Sequence, residues 1–176
     1  MILDEVGNPV PNGTIGEICV RGPQVMKGYW NQPEATAEAI RDGWMDTGDA
    51  ATLDDEGYLY VQDRVKDMIV SGGENVYPRV IEEVLFKHPA IADAAVIGIP
   101  DQKWGEAVKA VVQLRPGATA TEAELIAHCR GQLGGFELPQ SVDFIEALPR
   151  NASGKVLKRQ LREPYWEGHG RRVGGS

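Results

Sequence analysis

The feature that most limits the fold of this chain is the order of strand-like and helix-like segments from about residue 64 onward. Two apolar runs, residues 93–100 and 107–114, are rich in valine, isoleucine and alanine and are typical of buried strands. A helix is predicted from Pro78, because its inward side chains recur at i, i+3, i+4 and i+7: Ile81, Val84, Leu85 and His88. These segments can form a compact unit only if the helix packs against the strands.

A second helix and a last strand complete this pattern. Residues 121–133 begin with Thr121 and Glu124, whose spacing is that of a capping box at a helix start. Residues 142–148 follow as a strand. Two helices and several strands predict an α+β fold with a mixed sheet.

The first 63 residues have a different character. Strands are predicted at 14–22 and 54–63, and a short helix at 32–43 with Pro33 near its start and Gly43 just past its end. Few large apolar residues lie here, so this part would not close a core alone. We therefore expect it to be the trailing end of a larger upstream domain, and the chain to be a fragment.

Composition and charge exclude several classes of protein. The net charge of −8 argues against a nucleic-acid binder. The two cysteines, Cys19 and Cys129, have no CxxC spacing, which argues against a zinc site or a disulfide framework. No apolar run is long enough to span a bilayer, and the first residues do not read as a signal peptide, so a cytoplasmic protein is expected.

The end of the chain is locally basic despite the acidic total. Between residues 150 and 172 only Glu163 and Glu167 oppose seven cations: Arg150, Lys155, Lys158, Arg159, Arg162, Arg171 and Arg172. Composition alone leaves two interpretations open, a solvated terminal helix or a surface that meets anionic phosphates.

Lys155 lies in a stretch of turn-forming residues, "LPRNASGKVLKRQLR". Gly154 allows backbone conformations closed to other residues, and Pro149, Asn151 and Ser153 favour turns. The stretch is not a Walker A loop, which would read GxxxxGK[ST]. By itself it predicts a pliable loop with a cation near its tip, which is how an ordinary solvated lysine would also look.

Four stretches carry a resemblance to a known family: "GEICVRGPQVMKGYW", "GWMDTGD", "DRVKDMIVSGGENVYP" and "PRNASGKVLKR". In this order and spacing they resemble the C-terminal third of the acyl-adenylate-forming (AMP-binding) enzymes. That superfamily includes acyl-CoA synthetases, adenylation domains of peptide synthetases and beetle luciferases. The residue pattern is most similar to that of fatty-acyl-CoA ligases, particularly in "KDMIVSGGENVYP" and "VIGIPDQKWGEAVKAVV".

The resemblance implies a two-step reaction and two domains. A carboxylate attacks the α-phosphate of ATP to give acyl-AMP and pyrophosphate, and the thiol of coenzyme A then displaces AMP. Residues 1–65 would end the large N-terminal domain, and residues 66–176 would be the small mobile domain that closes in two orientations, one for each step. ATP with Mg²⁺ and coenzyme A would be substrates, with the Mg²⁺ ligands upstream of this chain.

The resemblance also implies roles for individual residues. Lys155 would reach the substrate carboxylate and the α-phosphate, where positive charge stabilises the transition state. Asp49 would accept hydrogen bonds from the ribose hydroxyls, and Arg64 would also contact the ribose. Asn75 would face the adenylate. Each has a plainer interpretation: a turn aspartate, a surface arginine and an asparagine that serves its own turn.

The remaining expectations concern the movement and the thiol. Lys66 matches the family's hinge, where a residue absorbs the φ/ψ change of rotation. Gly72 and Gly73 fall where the family's backbone approaches the pantetheine arm, although a plain hairpin turn would also use them. The sequence departs from the family at Val80, where a glutamate is common.

Three readings of function follow from the sequence. The first is part of an ATP-dependent ligase for medium- or long-chain fatty acids. The second is part of an aryl- or other carboxylate-CoA ligase, and the third is a non-catalytic stand-alone module. The expected partners are the missing N-terminal domain and small-molecule substrates; no nucleic acid is expected, no metal ligand is assigned, and peripheral membrane contact stays open. Without the upstream domain the chain is expected to be inactive.

Overall fold

The computed structural model describes residues 1–4 and 6–169. The chain divides into two compact units, Met1–Lys66 and Asp67–Ser176. Both contain a five-stranded sheet. Within the described residues, no helix is long and apolar enough to cross a membrane.

The first unit is built around one long strand. Its elements are β1 (Ile2–Leu3), β2 (Gly16–Val20), α1 (Pro33–Ala39), β3 (Ile40–Arg41), β4 (Trp44–Leu53) and β5 (Leu59–Arg64). All strand pairs are antiparallel, and β4 pairs with β2, β3 and β5. This central place of β4 matters because it carries the "DTGD" motif.

The short helix ends earlier than the sequence predicts. The prediction extended it to residue 42, but α1 ends at Ala39 and the chain enters β3. Asp42 and Gly43 both have positive φ, 50° and 78°, and join β3 to β4 as a hairpin turn. Asp-Gly is among the strongest hairpin signals, and here it overrides the helical pattern before it.

The first unit buries little apolar surface. Its buried apolar side chains are Ile2, Cys19, Ala50 and Ala51. Four consecutive apolar residues around the start of β5 are exposed instead: Tyr58, Leu59, Tyr60 and Val61. A row of exposed apolar side chains on this scale is typical of a surface that another part of a protein covers.

The second unit confirms the predicted α+β class. Its elements are β6 (Ile69–Ser71), β7 (Glu74–Val76), α2 (Pro78–Leu85), β8 (Ile91–Asp101), β9 (Gly105–Leu114), α3 (Glu122–Cys129), β10 (Ser141–Phe144) and α4 (Lys158–Trp166). The sheet order is β10-β9-β6-β7, and β8 pairs with β9. The sheet is mixed, because β10 runs parallel to β9 and the other pairs are antiparallel.

Helices cover both faces of this sheet, which explains why its two long strands are apolar throughout. On β8, Ala94 and Val96 belong to the larger core cluster with residues of α2 and α3. The alternate residues Ala95 and Ile97 belong to a second cluster, against which Leu161 of α4 packs. The capping box predicted at Thr121 and Glu124 is present at the start of α3.

Candidate functional site

The two residues expected at the ribose lie directly opposite each other in the first unit. Asp49 on β4 pairs in register with Arg64 on β5. The Arg64 Nε lies 2.8 Å from the Asp49 Oδ1, and the two side chains keep 47% and 34% of their surface exposed. Two residues 15 apart in sequence thus form one accessible ion pair.

Glu17 contacts an irregular part of β4 just before Asp49, where the register with β2 shifts, and was not found from the sequence. The backbone N–H of Gly48, which has a φ of 74°, donates to the Glu17 Oε1 at 2.8 Å. Burial raises the pKa of the Glu17 carboxyl above its ordinary value, and the Gly48 hydrogen bond opposes this rise. A glutamate on a neighbouring strand leaves no local sequence signal, so only the pairing of β2 with β4 could have shown it.

Cys19 lies next to this group of acids but is not suited to nucleophilic chemistry. Its side chain is buried, and the Sγ donates to the Asp46 Oδ1 at 3.3 Å. Burial, together with the hydrogen bond to Asp46, raises the thiol pKa to about 12. The thiolate that a nucleophilic cysteine needs is therefore disfavoured here.

Lys66 lies in a single 3-10 turn, Val65–Asp67, at the boundary of the two units. Asp67 is the first residue of the second unit, and its Oδ1 lies 3.0 Å from Arg162 Nη2 on α4. This ion pair is well shielded, with 11% of the Arg162 side chain and 14% of the Asp67 side chain exposed.

Gly72 and Gly73 form the turn between β6 and β7, with φ values of 63° and 89°. The Gly72 N–H donates to the carbonyl of Trp104 at 2.8 Å. A Cβ at Gly72 would lie 2.8 Å from the Trp104 ring, whereas a Cβ at Gly73 would have no neighbour within 4 Å. The first glycine is therefore required by packing, and the second faces open space.

A trough of about 570 Å³ lies beside this turn. Its wall combines the aromatic side chains of Trp104 and Phe136 with Arg130 and the backbone of Gly72. The aromatic faces suit a ligand with an apolar arm, and Arg130 and Glu74 add one charge of each sign to the lining. Trp104 and Phe136 were missed from the sequence, because one aromatic residue in a turn gives no signal.

Asn75 is exposed on β7, where it pairs in register with Val70.

The Lys155 loop is more ordered than the pliable loop that its sequence predicts. Its ends join as an isolated bridge between Arg150 and Val156. The Asn151 Oδ1 accepts the backbone N–H groups of Ser153 and Lys155 at 3.0 and 2.9 Å. Lys155 itself is exposed. A hairpin held in this way presents the lysine at a defined place.

The basic residues near this loop are used largely in ion pairs, which neither interpretation from composition foresaw. Lys158 lies 2.8 Å from Glu82, with 14% and 15% of the side chains exposed. Arg150 pairs with Asp93, and Arg162 with Asp67. Of the four other cations of this group, Lys155 and Arg159 are exposed, and Arg171 and Arg172 lie outside the described residues. In the described part, the cations of the basic end mainly form ion pairs within the second unit.

No metal cluster is found in the part of the chain that the structure describes. Residues 1–4 and 6–169 contain no group of three or more histidine, cysteine, aspartate or glutamate side chains placed to hold an ion.

Family models match both units of the chain. Residues 1–30 match the model of the AMP-binding enzymes, and residues 80–155 match that of the AMP-binding enzyme C-terminal domain. The first matched segment contains Glu17, and the second ends at Lys155.

Curated relatives are similar over most of this chain. A feruloyl-CoA synthase of Amycolatopsis is 52% identical over 90% of the chain and 32% of its own length. A medium/long-chain fatty-acid–CoA ligase of Mycobacterium tuberculosis is 48% identical over 98% of the chain and 32% of its own length. The chain therefore spans about a third of the length of the curated relatives it matches.

A solved structure agrees with these relatives. ATP-bound MatB from Rhodopseudomonas palustris superposes with a TM-score of 0.88 and 43% identity, over 96% of this chain and 34% of that protein. The similarity of fold thus extends across the same segment as the similarity of sequence.

Proposed function

Because the chain belongs to the AMP-binding enzyme family, we propose that it is the C-terminal portion of an ATP-dependent acyl-CoA ligase. Residues 1–65 end the large adenylation domain, and residues 66–176 form the mobile domain. The observation that supports this proposal is the direct pairing of Asp49 with Arg64 at 2.8 Å, because the two residues expected to contact the ribose lie side by side with both side chains accessible.

In the first half-reaction a carboxylate oxygen of the acid attacks the α-phosphorus of ATP. The bond from the α-phosphorus to the oxygen that bridges the α- and β-phosphates breaks, and pyrophosphate leaves with the electron pair of that bond. Asp49 accepts hydrogen bonds from the ribose hydroxyls, Arg64 orients Asp49, and Asn75 faces the adenylate. Lys155 brings positive charge to the carboxylate and the α-phosphate, where negative charges meet.

In the second half-reaction the thiolate sulfur of coenzyme A, its proton already lost to solvent, attacks the acyl carbon; the bond from this carbon to the AMP phosphate oxygen breaks, and AMP leaves with the electron pair. Rotation at Lys66 withdraws Lys155 and brings the Gly72–Gly73 turn to the pantetheine arm. The trough beside this turn, with Trp104 and Phe136, is suited to the apolar part of that arm. Because the Lys155 hairpin is internally hydrogen-bonded, we expect it to move with the whole unit rather than by bending alone.

Two classes of acid are compatible with this proposal. A medium- or long-chain fatty acid is the first, supported by the Mycobacterium tuberculosis relative, and an aryl acid is the second, supported by the feruloyl relative. The missing partner is the N-terminal domain, which would hold ATP and Mg²⁺ and bind the acid. The exposed residues Tyr58–Val61 support such a partner, because they leave an apolar surface to be covered.

The experiment that tests this proposal is a pair of chimeras. The chain replaces the matching third of the feruloyl relative and of the fatty-acid relative, and pyrophosphate release and acyl-CoA formation are measured with both acids. We expect each chimera to use the acid of its own N-terminal part. Lys155→Ala should abolish pyrophosphate release but keep thioester formation from supplied acyl-AMP, while Arg159→Ala, an exposed cation nearby, should change neither.

Two results would contradict the proposal. Folded chimeras without either half-reaction would favour the non-catalytic module. Equal loss of both half-reactions in Lys155→Ala would remove the role given to this lysine.

A further inference from the structure

Arg162 is an unusual residue to find buried on a short helix. Helix α4 has nine residues, and Arg162 is the residue of this helix that lies in the buried class. Its Nη2 lies 3.0 Å from the Asp67 Oδ1, and little of either side chain is exposed. A buried charge pair is costly to desolvate and often no more stabilising than apolar packing, so a role other than stability is worth seeking.

The partner of Arg162 lies where the chain enters the second unit. Asp67 follows Lys66 directly, and β6 begins two residues later at Ile69, which is fully buried. The ion pair therefore joins α4 to the short link between Lys66 and the core.

The same helix is joined to the Lys155 loop at its other end. Helix α4 begins at Lys158, three residues after Lys155. The backbone N–H of Leu157 donates to the Pro149 carbonyl at 2.8 Å, which ties the helix start to the loop. Lys158 and Arg162 are four residues apart, so they lie on one face of the helix.

Further polar contacts hold α4 against the sheet. The Trp166 Nε1 donates to the Gly98 carbonyl at 2.9 Å, and the hydroxyl of Tyr165 donates to Asp143. Directional contacts of this kind fix the position of a helix along its axis, which apolar packing alone does less strictly. A displacement of Asp67 is therefore transmitted through α4 to the loop.

We propose that Arg162 is a positioning residue that couples the exit of the Lys66 hinge to the Lys155 loop. By holding Asp67 on α4, it limits backbone rotation to Lys66 and the residues before it, so that Lys155 moves with the unit as one body. This role rests on the proposed function, since it presumes two orientations of the unit. It adds a residue that touches no substrate and sets the balance of the two half-reactions.

The first test uses the 176-residue chain itself and does not depend on activity. Arg162→Met and Lys158→Met each remove one cation of similar burial from the same helix, and only Arg162 contacts the hinge exit. Amide hydrogen exchange at residues 65–69 should become faster in Arg162→Met and stay near the wild-type rate in Lys158→Met. Equal rates at 65–69 in the two variants would overturn the proposal.

The second test measures both half-reactions in the chimeras. Arg162→Met should change the ratio of thioester formation to pyrophosphate release by about two- to thirtyfold, the range for residues that couple two sites. Lys158→Met should lower both rates together or neither. Should Arg162→Met fail to fold, Asp67→Asn removes the charge but keeps a hydrogen-bond acceptor, and a smaller shift in the same direction is expected.

Exchange of the two charges tests whether the ion pair itself, rather than the size of either side chain, sets the ratio of the two half-reactions. The double variant Asp67→Arg with Arg162→Asp should restore the wild-type ratio, while each single change disturbs it. A ratio that stays constant in all these variants would overturn the coupling role. If the wild-type chimeras show no half-reaction, the proposed function fails, and the hydrogen-exchange result alone decides whether Arg162 orders the hinge exit.

Discussion

Asp49 and Arg64 occupy directly opposed positions on β4 and β5, with Arg64 Nε 2.8 Å from Asp49 Oδ1. A pair this exposed contributes little to stability, at about 0–1 kcal/mol. One carboxylate oxygen, Oδ1, lies against the arginine. Because folding gains little from this pair, we propose that its role is to orient Asp49 toward a ligand.

The first prediction concerns Asp49. In the chimeras, Asp49→Asn should lower kcat/KM for pyrophosphate release by about 10- to 100-fold, because a charged acceptor of hydrogen bonds is replaced by a neutral amide. The free energy of unfolding of the chain should change little. Asp46→Asn is the matched control on the same strand, since Asp46 pairs with Arg41 and Cys19 instead. A similar loss in both variants would contradict ribose recognition by Asp49.

The second prediction concerns the order of the Lys155 loop. Asn151→Ala removes the acceptor of the Ser153 and Lys155 backbone N–H groups, so the lysine should sample more positions. We expect kcat for pyrophosphate release to fall about tenfold, with KM and thioester formation little changed. Gln160→Ala, an exposed change on α4, is the control. A change in KM alone would show that the loop acts in binding rather than in positioning the lysine.

The third prediction separates the two glycines. Gly72→Ala should destabilise the second unit by about 1–3 kcal/mol, because a positive φ is combined with a contact to the Trp104 ring. Gly73→Ala should cost about 1 kcal/mol, from its backbone conformation alone. If the turn approaches pantetheine, Gly73→Ala should nevertheless slow thioester formation and leave pyrophosphate release intact. Loss of both half-reactions in a folded Gly73→Ala variant would assign the turn a purely structural role.

Much of the fold could be predicted because its signals are local. The capping box at Thr121 and the helical spacing from Pro78 depend on neighbours within one or two turns, and both helices are present. The helix predicted to residue 42 was wrong at its end, because an Asp-Gly turn allowed β3 to pair with β4. The predicted helix end was wrong where a hairpin signal and a helical pattern overlapped in the same few residues.

The candidate site could be predicted only in part, for a related reason. Motif positions indicated Asp49 and Lys155, but not the residues that hold them. Glu17 reaches Gly48 from another strand, and Arg162 reaches Asp67 across 95 residues of chain. Such partners are chosen by the tertiary fold, and the charge of the basic end gave no indication that its cations were already paired.

The last prediction follows from the contacts of buried Lys109 with the partly exposed Asp143 and Tyr165. The Lys109 Nζ lies 2.6 Å from the Asp143 Oδ1, and Tyr165 donates to the other oxygen. Burial and the hydrogen bond to Asp143 raise the pKa of Tyr165 from 10.0 to about 12. The folded chain therefore keeps the phenol proton in a range where the unfolded chain loses it. The contribution of Tyr165 to stability is complete below pH 10 and declines as the pH rises toward 12.

Tyr165→Phe tests this contribution. At neutral pH the variant should be less stable by about 1–2 kcal/mol, because Asp143 loses a donor. This deficit should shrink as the pH rises through the range from 10 to about 12. In that range the unfolded wild-type chain gains stability by losing the phenol proton, whereas the variant has no phenol to ionise. Denaturant unfolding followed by tryptophan fluorescence at several pH values measures it, with Tyr58→Phe, an exposed tyrosine, as the control. A deficit that stays constant across this range would contradict a raised phenol pKa in the folded chain, and no deficit at any pH would mean that Tyr165 stabilises α4 by packing alone.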